Sequence, residues 1–311
     1  MLDQIKGLHH VTAMASGAAQ NNAFWTHTLG LRRVKQTVNF DEPSVYHLYY
    51  GDETGTPGSV MTYFPFPHMA RGRPGTGEVG TTLFSVPEGS LDWWRQRLGE
   101  AKVAELEQGD SFGQKRLTFL GPDGDGLALV EDKNDVRKPW VQGGVAADTA
   151  IRGFHSASLR LRDAGATEEL LKFMGYEVAD THGGIRRLMR PGGNGADFVD
   201  IETLPGATAL RLGAGSVHHI AFAVPTKADQ LAVRTALMDT GYQLTPVIDR
   251  DYFFSVYFRT PGGVLFEIAT NEPGFDRDED TAHLGEALKL PRQHEHLRSV
   301  LEKSLEPLGA A

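Results

Sequence analysis

The 311-residue chain contains no cysteine, which removes thiol nucleophiles, disulfides and cysteine-ligated zinc from consideration. It has no apolar run long enough to cross a bilayer, so no membrane partner is expected. Positive charge is also scarce. Thirty-one Lys and Arg stand against 40 Asp and Glu, giving a net charge of −9, and the short pairs Arg32-Arg33 and Arg186-Arg187 read as solvated strand ends. A nucleic acid needs a concentrated basic surface and is therefore not an expected partner. The segment Met1–Gly7 lacks the charged and apolar regions of a secretory signal, which makes cytoplasmic residence the expectation. What remains is a globular composition, 40% hydrophobic and 23% charged, in a chain long enough for two domains. Without cysteine, any bound metal must rest on His, Asp or Glu.

A weak internal repeat organises the sequence. Each copy reads as a strand, a helix closed by glycine, and three further strands. The first opens with GLHHVTAM and breaks its helix, Ala18 to Leu29, at Gly30; the second opens with GTTLFSV and carries Gly99. The third starts at GFHSASLRL with Gly175, the fourth at HHIAFAV with Gly241. Glycine suits the end of a helix because it enters the left-handed conformation without steric cost. Thr226 and Asp229 predict a capping box for the fourth helix. The expected fold is α+β, four βαβββ modules of about fifty to sixty residues, each too small to bury a good core alone. The stretch RKPWVQGGVAADTAI reads as the linker between two half-barrel domains, residues 1–140 with modules one and two and residues 151–275 with modules three and four. An acidic tail, 276–311, turns helical from about Arg292 to Leu305, with His294 and His296 taken as surface residues.

Two modules open on double histidines, His9-His10 and His218-His219. Side chains alternate along a strand, so Ile220, Phe222 and Val224 form a bulky face that includes His218, whereas His219 shares its face with the small Ala221 and Ala223. By the same parity His10 and Thr12 share the inner face of the first module. Aligned, the first-strand position carries His10, Thr81, Ser156 and His219. The last-strand position, counted from the preceding glycine, carries Thr62, Val130, either Asp200 or Glu202, and Glu267. Only the first and fourth modules supply a ligand set. Glu267 lies among Val264, Leu265, Phe266, Ile268 and Ala269, where a carboxylate is costly unless paired or metal-bound. A redox metal held by His10, His219 and Glu267 between the first and last modules is the expectation, since two imidazoles and one carboxylate leave an open face for chemistry.

The long motifs GLHHVTA, LGLRRVKQTVNFDEPSVYHLYYGD, HHIAF, DRDYFFSVYFRTPGGVLFEIATNEPGF and LGEALKLP resemble the vicinal oxygen chelate, or glyoxalase-fold, superfamily over nearly the whole chain. Within it they resemble ring-cleaving dioxygenases of the hydroquinone type. That resemblance implies Fe(II), sometimes Mn(II), on His10, His219 and Glu267, with Tyr257 and Arg250 beside it and Thr12, His9 and His218 as further site residues. For His9 and His218 strand parity points the other way. It also implies an aromatic diol and dioxygen as substrates, with extradiol-type ring opening; a homo-oligomer is compatible with it. Two-domain catechol dioxygenases differ, because their ligands lie in one half and Ser156 stands where they need histidine.

Tyr257 precedes Glu267 across the turn TPGG, so a hairpin places the two strands side by side. Its alternative is a packing aromatic, and that of Arg250 an ion pair with Asp249 or Asp251. The segment Thr62 to Gly80 is either a lid, through Phe64, Phe66 and Met69, or a connector, and PGGNG at 191–195 reads as a hairpin turn. Three rival functions share this fold: a glyoxalase-type isomerase, disfavoured by Thr62 at the fourth ligand position, a thiol transferase, and a non-enzymatic small-molecule-binding protein that needs no metal triad.

Overall fold

The computed structural model describes residues 1–309. Sixteen strands form four βαβββ modules, as the repeat predicts. Module one comprises β1 (Leu8–Ala15), α1 (Ala18–Ala23), β2 (Arg32–Val38), β3 (Tyr46–Gly51) and β4 (Val60–Pro65). Module two comprises β5 (Glu78–Val86), α2 (Leu91–Glu100), β6 (Ala104–Ser111), β7 (Gln114–Leu120) and β8 (Gly126–Glu131). Module three has β9 (Gly153–Leu161), α3 (Gly165–Phe173), β10 (Glu177–His182), β11 (Ile185–Met189) and β12 (Phe198–Thr203). Module four has β13 (Val217–Val224), α4 (Lys227–Asp239), β14 (Ile248–Asp249), β15 (Phe253–Arg259) and β16 (Leu265–Pro273).

The modules pair across the chain rather than along it. One eight-stranded sheet runs β14-β15-β16-β13-β1-β4-β3-β2, joining modules four and one; the other runs β10-β11-β12-β9-β5-β8-β7-β6, joining three and two. This corrects the expected grouping: neither 1–140 nor 151–275 closes a sheet by itself, because each central seam, β1 with β13 and β5 with β9, is antiparallel pairing between the two halves. The connector after β4 and the segment before β13 also pair, through Arg71 with Ala214, Arg73 with Arg211 and Thr76 with Ala209. One aromatic cluster spans both sheets, with Trp25 between Tyr50 and Phe84 at ring distances of 6.0 and 5.6 Å. Each sheet thus presents a concave face on the side away from the helices.

Helix ends mostly follow the glycines. Gly30, Gly175 and Gly241 are left-handed, at φ of 73°, 91° and 95°. Gly99 is the exception. It lies inside α2, and Lys102 takes the left-handed turn at φ 56°. The Thr226–Asp229 capping box is present. Residues 191–195 form the β11–β12 turn, and Asn194 Nδ2 donates to the Leu8 carbonyl at 2.8 Å, tying modules three and one together.

Only one member of each basic pair fails the expectation of a solvated strand end; Arg186 is exposed and Arg32 partly so. Arg33 is buried and donates to the Gly285 carbonyl and to Asn22, while Arg187 is buried against Asp200. A charge enters the interior where its donors are matched, which strand-end position alone does not reveal. The tail uses the same device. Lys35 Nζ, fully buried, reaches Asp278 at 2.7 Å and Glu279 at 2.5 Å and lies over the Tyr252 ring. Further on, a 3₁₀ turn (Arg292–Leu297) leads into α5 (Arg298–Ser304), and Glu306 accepts from the Ala18 backbone N–H at the start of α1. His294 is half-buried, close to the Phe40 carbonyl at 2.8 Å, and is thus more than a surface residue. Lys35→Ala would strand the buried Glu279 without its cation. Urea unfolding should show a loss of about 3 kcal/mol, whereas a loss near zero would mean that the tail is not held by this pair.

Candidate metal centre

The three expected ligands meet on the concave face of the first sheet. Glu267 Oε2 lies 3.2 Å from His10 Nε2 and 2.9 Å from His219 Nε2, and the two imidazole nitrogens are 3.3 Å apart. All three side chains are buried, Glu267 completely. Strand geometry explains the convergence. In the antiparallel β1–β13 pairing His10 lies opposite Ala221 and Thr12 opposite His219, while parallel β16 puts Glu267 beside Ala221. The small Ala221 leaves the room that the three larger groups use.

His9 and His218 turn toward His10 and His219, against the parity expectation. The β1–β13 register slips between Leu8 and His10 and again between Thr12 and Ala13, where Val217 is the partner. His9 and His218 are therefore the extra residues of two β-bulges, and a bulge re-aims a side chain that regular alternation would send to the other face. His9 Nδ1 lies 2.9 Å from His10 Nδ1, and His218 Nδ1 lies 2.8 Å from His219 Nδ1.

Hydrogen accounting then tests whether a metal fits. His9 Nε2 is 3.1 Å from the Thr270 carbonyl, which only accepts, so His9 carries its proton there and its Nδ1 accepts from His10. His10 is thereby protonated on Nδ1, leaving the Nε2 lone pair turned toward Glu267. Such an outer contact orients a metal-ligating histidine and sets its tautomer. Although Glu267 Oε2 stands within ion-pair distance of both imidazoles, no donor hydrogen is aligned on it. Its partner oxygen Oε1 is held by Ser255 Oγ at 2.5 Å. The His10 Nε2 lone pair and Glu267 Oε2 face a common point with His219 Nε2 beside them, an arrangement a divalent cation resolves. Among the described residues this is the cluster with metal-ligand spacing.

The surrounding charges agree. Burial keeps His9 down at about 3 and His218 down at about 4, and it lowers His219, so all three are neutral near pH 7. Burial works against an ionised Glu267, and positive charge beside it, on the imidazoles or on an ion between them, holds the carboxyl well below its ordinary range. Tyr257 stands opposite Glu267 in the β15–β16 hairpin, as the TPGG turn predicts, with its ring edge on His219. Burial, reinforced by Glu267, raises its phenol above the ordinary range and keeps it protonated. Arg250 leaves Asp249 and Asp251 and reaches Tyr257 Oη at 3.4 Å, with Asp41 at 4.0 Å. Thr12 is buried beside His10 on the same face, its hydroxyl 2.9 Å from that of Thr62.

Beside the triad opens a cavity of about 350 Å³ lined by Phe40, Phe64, Phe66, Met69, Phe253 and Leu265, with Tyr257, Arg250 and His218 among its polar members. Phe64, Phe66 and Met69 come from the 62–80 segment, whose remainder is connector, so it serves both roles. Asn39, Phe40 and Asp41 from the β2–β3 loop carried no sequence signal and complete the wall.

A larger cavity of about 620 Å³ lies in the second sheet, where the described residues form no cluster with metal-ligand spacing. At the places of His10 and His219 stand Thr81 and Ser156, and the sheet registers equate Asp200, rather than Glu202, with Glu267. They equate Ala128, not Val130, with it in module two. The left-handed glycine that starts the count there is Gly124, two residues before Gly126. Asp200 is not free. Arg187, at the place of Tyr257, clamps it with two hydrogen bonds of 2.7 and 2.8 Å. A guanidinium has taken the position of the cation.

The chain belongs to the Glyoxalase/Bleomycin resistance protein/Dioxygenase superfamily, whose model matches residues 7–268. A Bacillus subtilis (strain 168) protein named "Putative ring-cleaving dioxygenase MhqO" is 40% identical over 99% of this chain and 98% of its own. The chlorohydroquinone/hydroquinone 1,2-dioxygenase of Sphingobium indicum is 36% identical over 97% of each chain. A solved Bacillus subtilis structure described as a "putative dioxygenase" superposes with a TM-score of 0.95 at 39% identity, covering 99% of this chain and 98% of the other.

Anaerobic titration with a divalent ion should give one site per chain, lost in His219→Ala. A second ion of comparable affinity would contradict the assignment of Arg187 as the fixed cation of the second sheet.

Proposed function

We propose that the protein is an Fe(II)-dependent dioxygenase that opens the ring of a hydroquinone-like diol beside a hydroxylated carbon, in the extradiol manner. One observation carries this: two imidazoles of a buried His, His, Glu triad line a cavity of about 350 Å³ whose wall is largely aromatic and aliphatic. The names of the two full-length relatives support it. In the overall reaction both oxygen atoms of O2 enter the product and the ring supplies the electrons, so no further reductant is required. His10, His219 and Glu267 would hold Fe(II), which would supply redox chemistry that no side chain provides; Mn(II) suits the same donors.

The residues divide the remaining work. Phe40, Phe64, Phe66 and Met69 enclose the ring and exclude water from the polar end. Tyr257, neutral and buried, donates its hydroxyl hydrogen to a developing substrate oxyanion. Arg250, always charged, stands behind that phenol and adds positive potential where negative charge accumulates. His9 and His218 hold His10 and His219 in the orientation that offers Nε2, and Thr12 supplies a hydroxyl beside them. Ser255 fixes one oxygen of Glu267 so that the other points inward. The isomerase alternative loses support from Thr62, whose hydroxyl is engaged by Thr12 and His47 where a fourth ligand would be needed.

After anaerobic Fe(II) loading, an oxygen electrode should record uptake with substituted hydroquinones and little with catechols. Inertness toward every diol would overturn the proposal. Tyr257→Phe should keep its metal and lose about 100-fold in kcat; unchanged turnover would remove Tyr257 from the mechanism.

A further inference from the structure

A line of buried polar groups crosses the concave face of the first sheet from its interior to the metal centre. Tyr49 Oη lies 2.8 Å from His47 Nδ1, His47 Nε2 lies 2.9 Å from Thr62 Oγ1, and Thr62 Oγ1 lies 2.9 Å from Thr12 Oγ1. Tyr49 and Thr62 are register partners on β3 and β4, Thr62 and Thr12 on β4 and β1, and Thr12 and His219 on β1 and β13. Thr12 lies between His10 and Met14 on this face, and both of those line the substrate cavity. Module four shows what the line corresponds to. Thr62 stands at the place of Glu267 and Tyr49 at that of Tyr257, while His47 holds Thr62 as Ser255 holds Glu267. Where module four offers a tethered carboxylate, module one offers a tethered hydroxyl.

The direction of the hydrogens follows from burial. Tyr49 is fully buried, and the contact recorded for its hydroxyl is His47 Nδ1. If His47 carried its proton on Nδ1, the phenol hydrogen would have no acceptor in a dry core, at a cost of about 1–3 kcal/mol. With the proton on Nε2 every donor finds its acceptor: Tyr49 donates to His47, His47 to Thr62 and Thr62 to Thr12. The one hydrogen left over belongs to Thr12, at the end of the line nearest the metal ligands. We propose that Tyr49, His47 and Thr62 are positioning residues that fix the Thr12 hydroxyl as a hydrogen-bond donor toward an anionic substrate oxygen at the metal centre. Burial, reinforced by the nearby Arg250, keeps His47 neutral, so the line does not break by protonation. The Phe64 ring, tilted at 44° with its centroid 4.3 Å from that of the imidazole, packs against His47.

The proposal rests on the centre being a site for diol substrates, and its test separates the two. Nitrogen-15 NMR of the metal-free protein, with His47 assigned by its absence in His47→Gln, should show a neutral Nε2–H tautomer at neutral pH. An Nδ1–H tautomer would overturn the proposal whatever the substrate. In the Fe(II)-loaded protein, Thr62→Val and Tyr49→Phe should each lower kcat about tenfold with little change in KM. Thr62→Ser should restore turnover. Because all act through one line, the double variant should be no worse than Thr62→Val alone. Full turnover in Thr62→Val, or multiplying losses in the double variant, would overturn the assignment. Absence of turnover in the wild type, with the Nε2–H tautomer present, would instead count against the dioxygenase function.

Discussion

The antiparallel seam between β1 and β13 is the contact on which the site depends. It joins the opening and closing modules of the chain, and its two bulges place two histidine pairs face to face. Parallel pairing of β16 onto β13 then adds Glu267 from the next strand over. No single module contains a usable ligand set. The centre exists only when the chain has closed this seam, so folding and metal binding are linked.

The second sheet shows what the same frame does without a metal. Its β5–β9 seam carries bulges at Gly80 and His155, the places of His9 and His218, yet Thr81, Ser156 and Ala128 offer no ligands comparable to those of the first sheet. Asp200 alone persists, and a carboxylate buried there requires a cation. Arg187 meets that requirement from within the chain, stacked over Phe112 and Phe198. A pair of imidazoles beside Glu267 in one sheet and a guanidinium beside Asp200 in the other answer one electrostatic demand.

Ligand chemistry and strand parity made His10, His219 and Glu267 legible before any coordinates, because a carboxylate among apolar neighbours must find a positive partner. The four modules were equally legible from their periodicity. Parity failed at His9 and His218, since a bulge inserts one residue and sequence alternation assumes none. The pairing of modules one with four and two with three was hidden because a repeat announces units, not which unit lies beside which; only the split ligand set hinted at it. Arg33 and Arg187 looked exposed because their partners lie far along the chain or across a turn. Phe40 and its loop carried no pattern at all, as walls of cavities rarely do.

Anomalous diffraction at the iron edge from crystals grown with Fe(II) tests the central claim most directly. One peak about 2.0–2.2 Å from His10 Nε2, His219 Nε2 and a Glu267 oxygen, and none beside Asp200, is the result this structure predicts. Iron elsewhere, with the three side chains unligated, would contradict it.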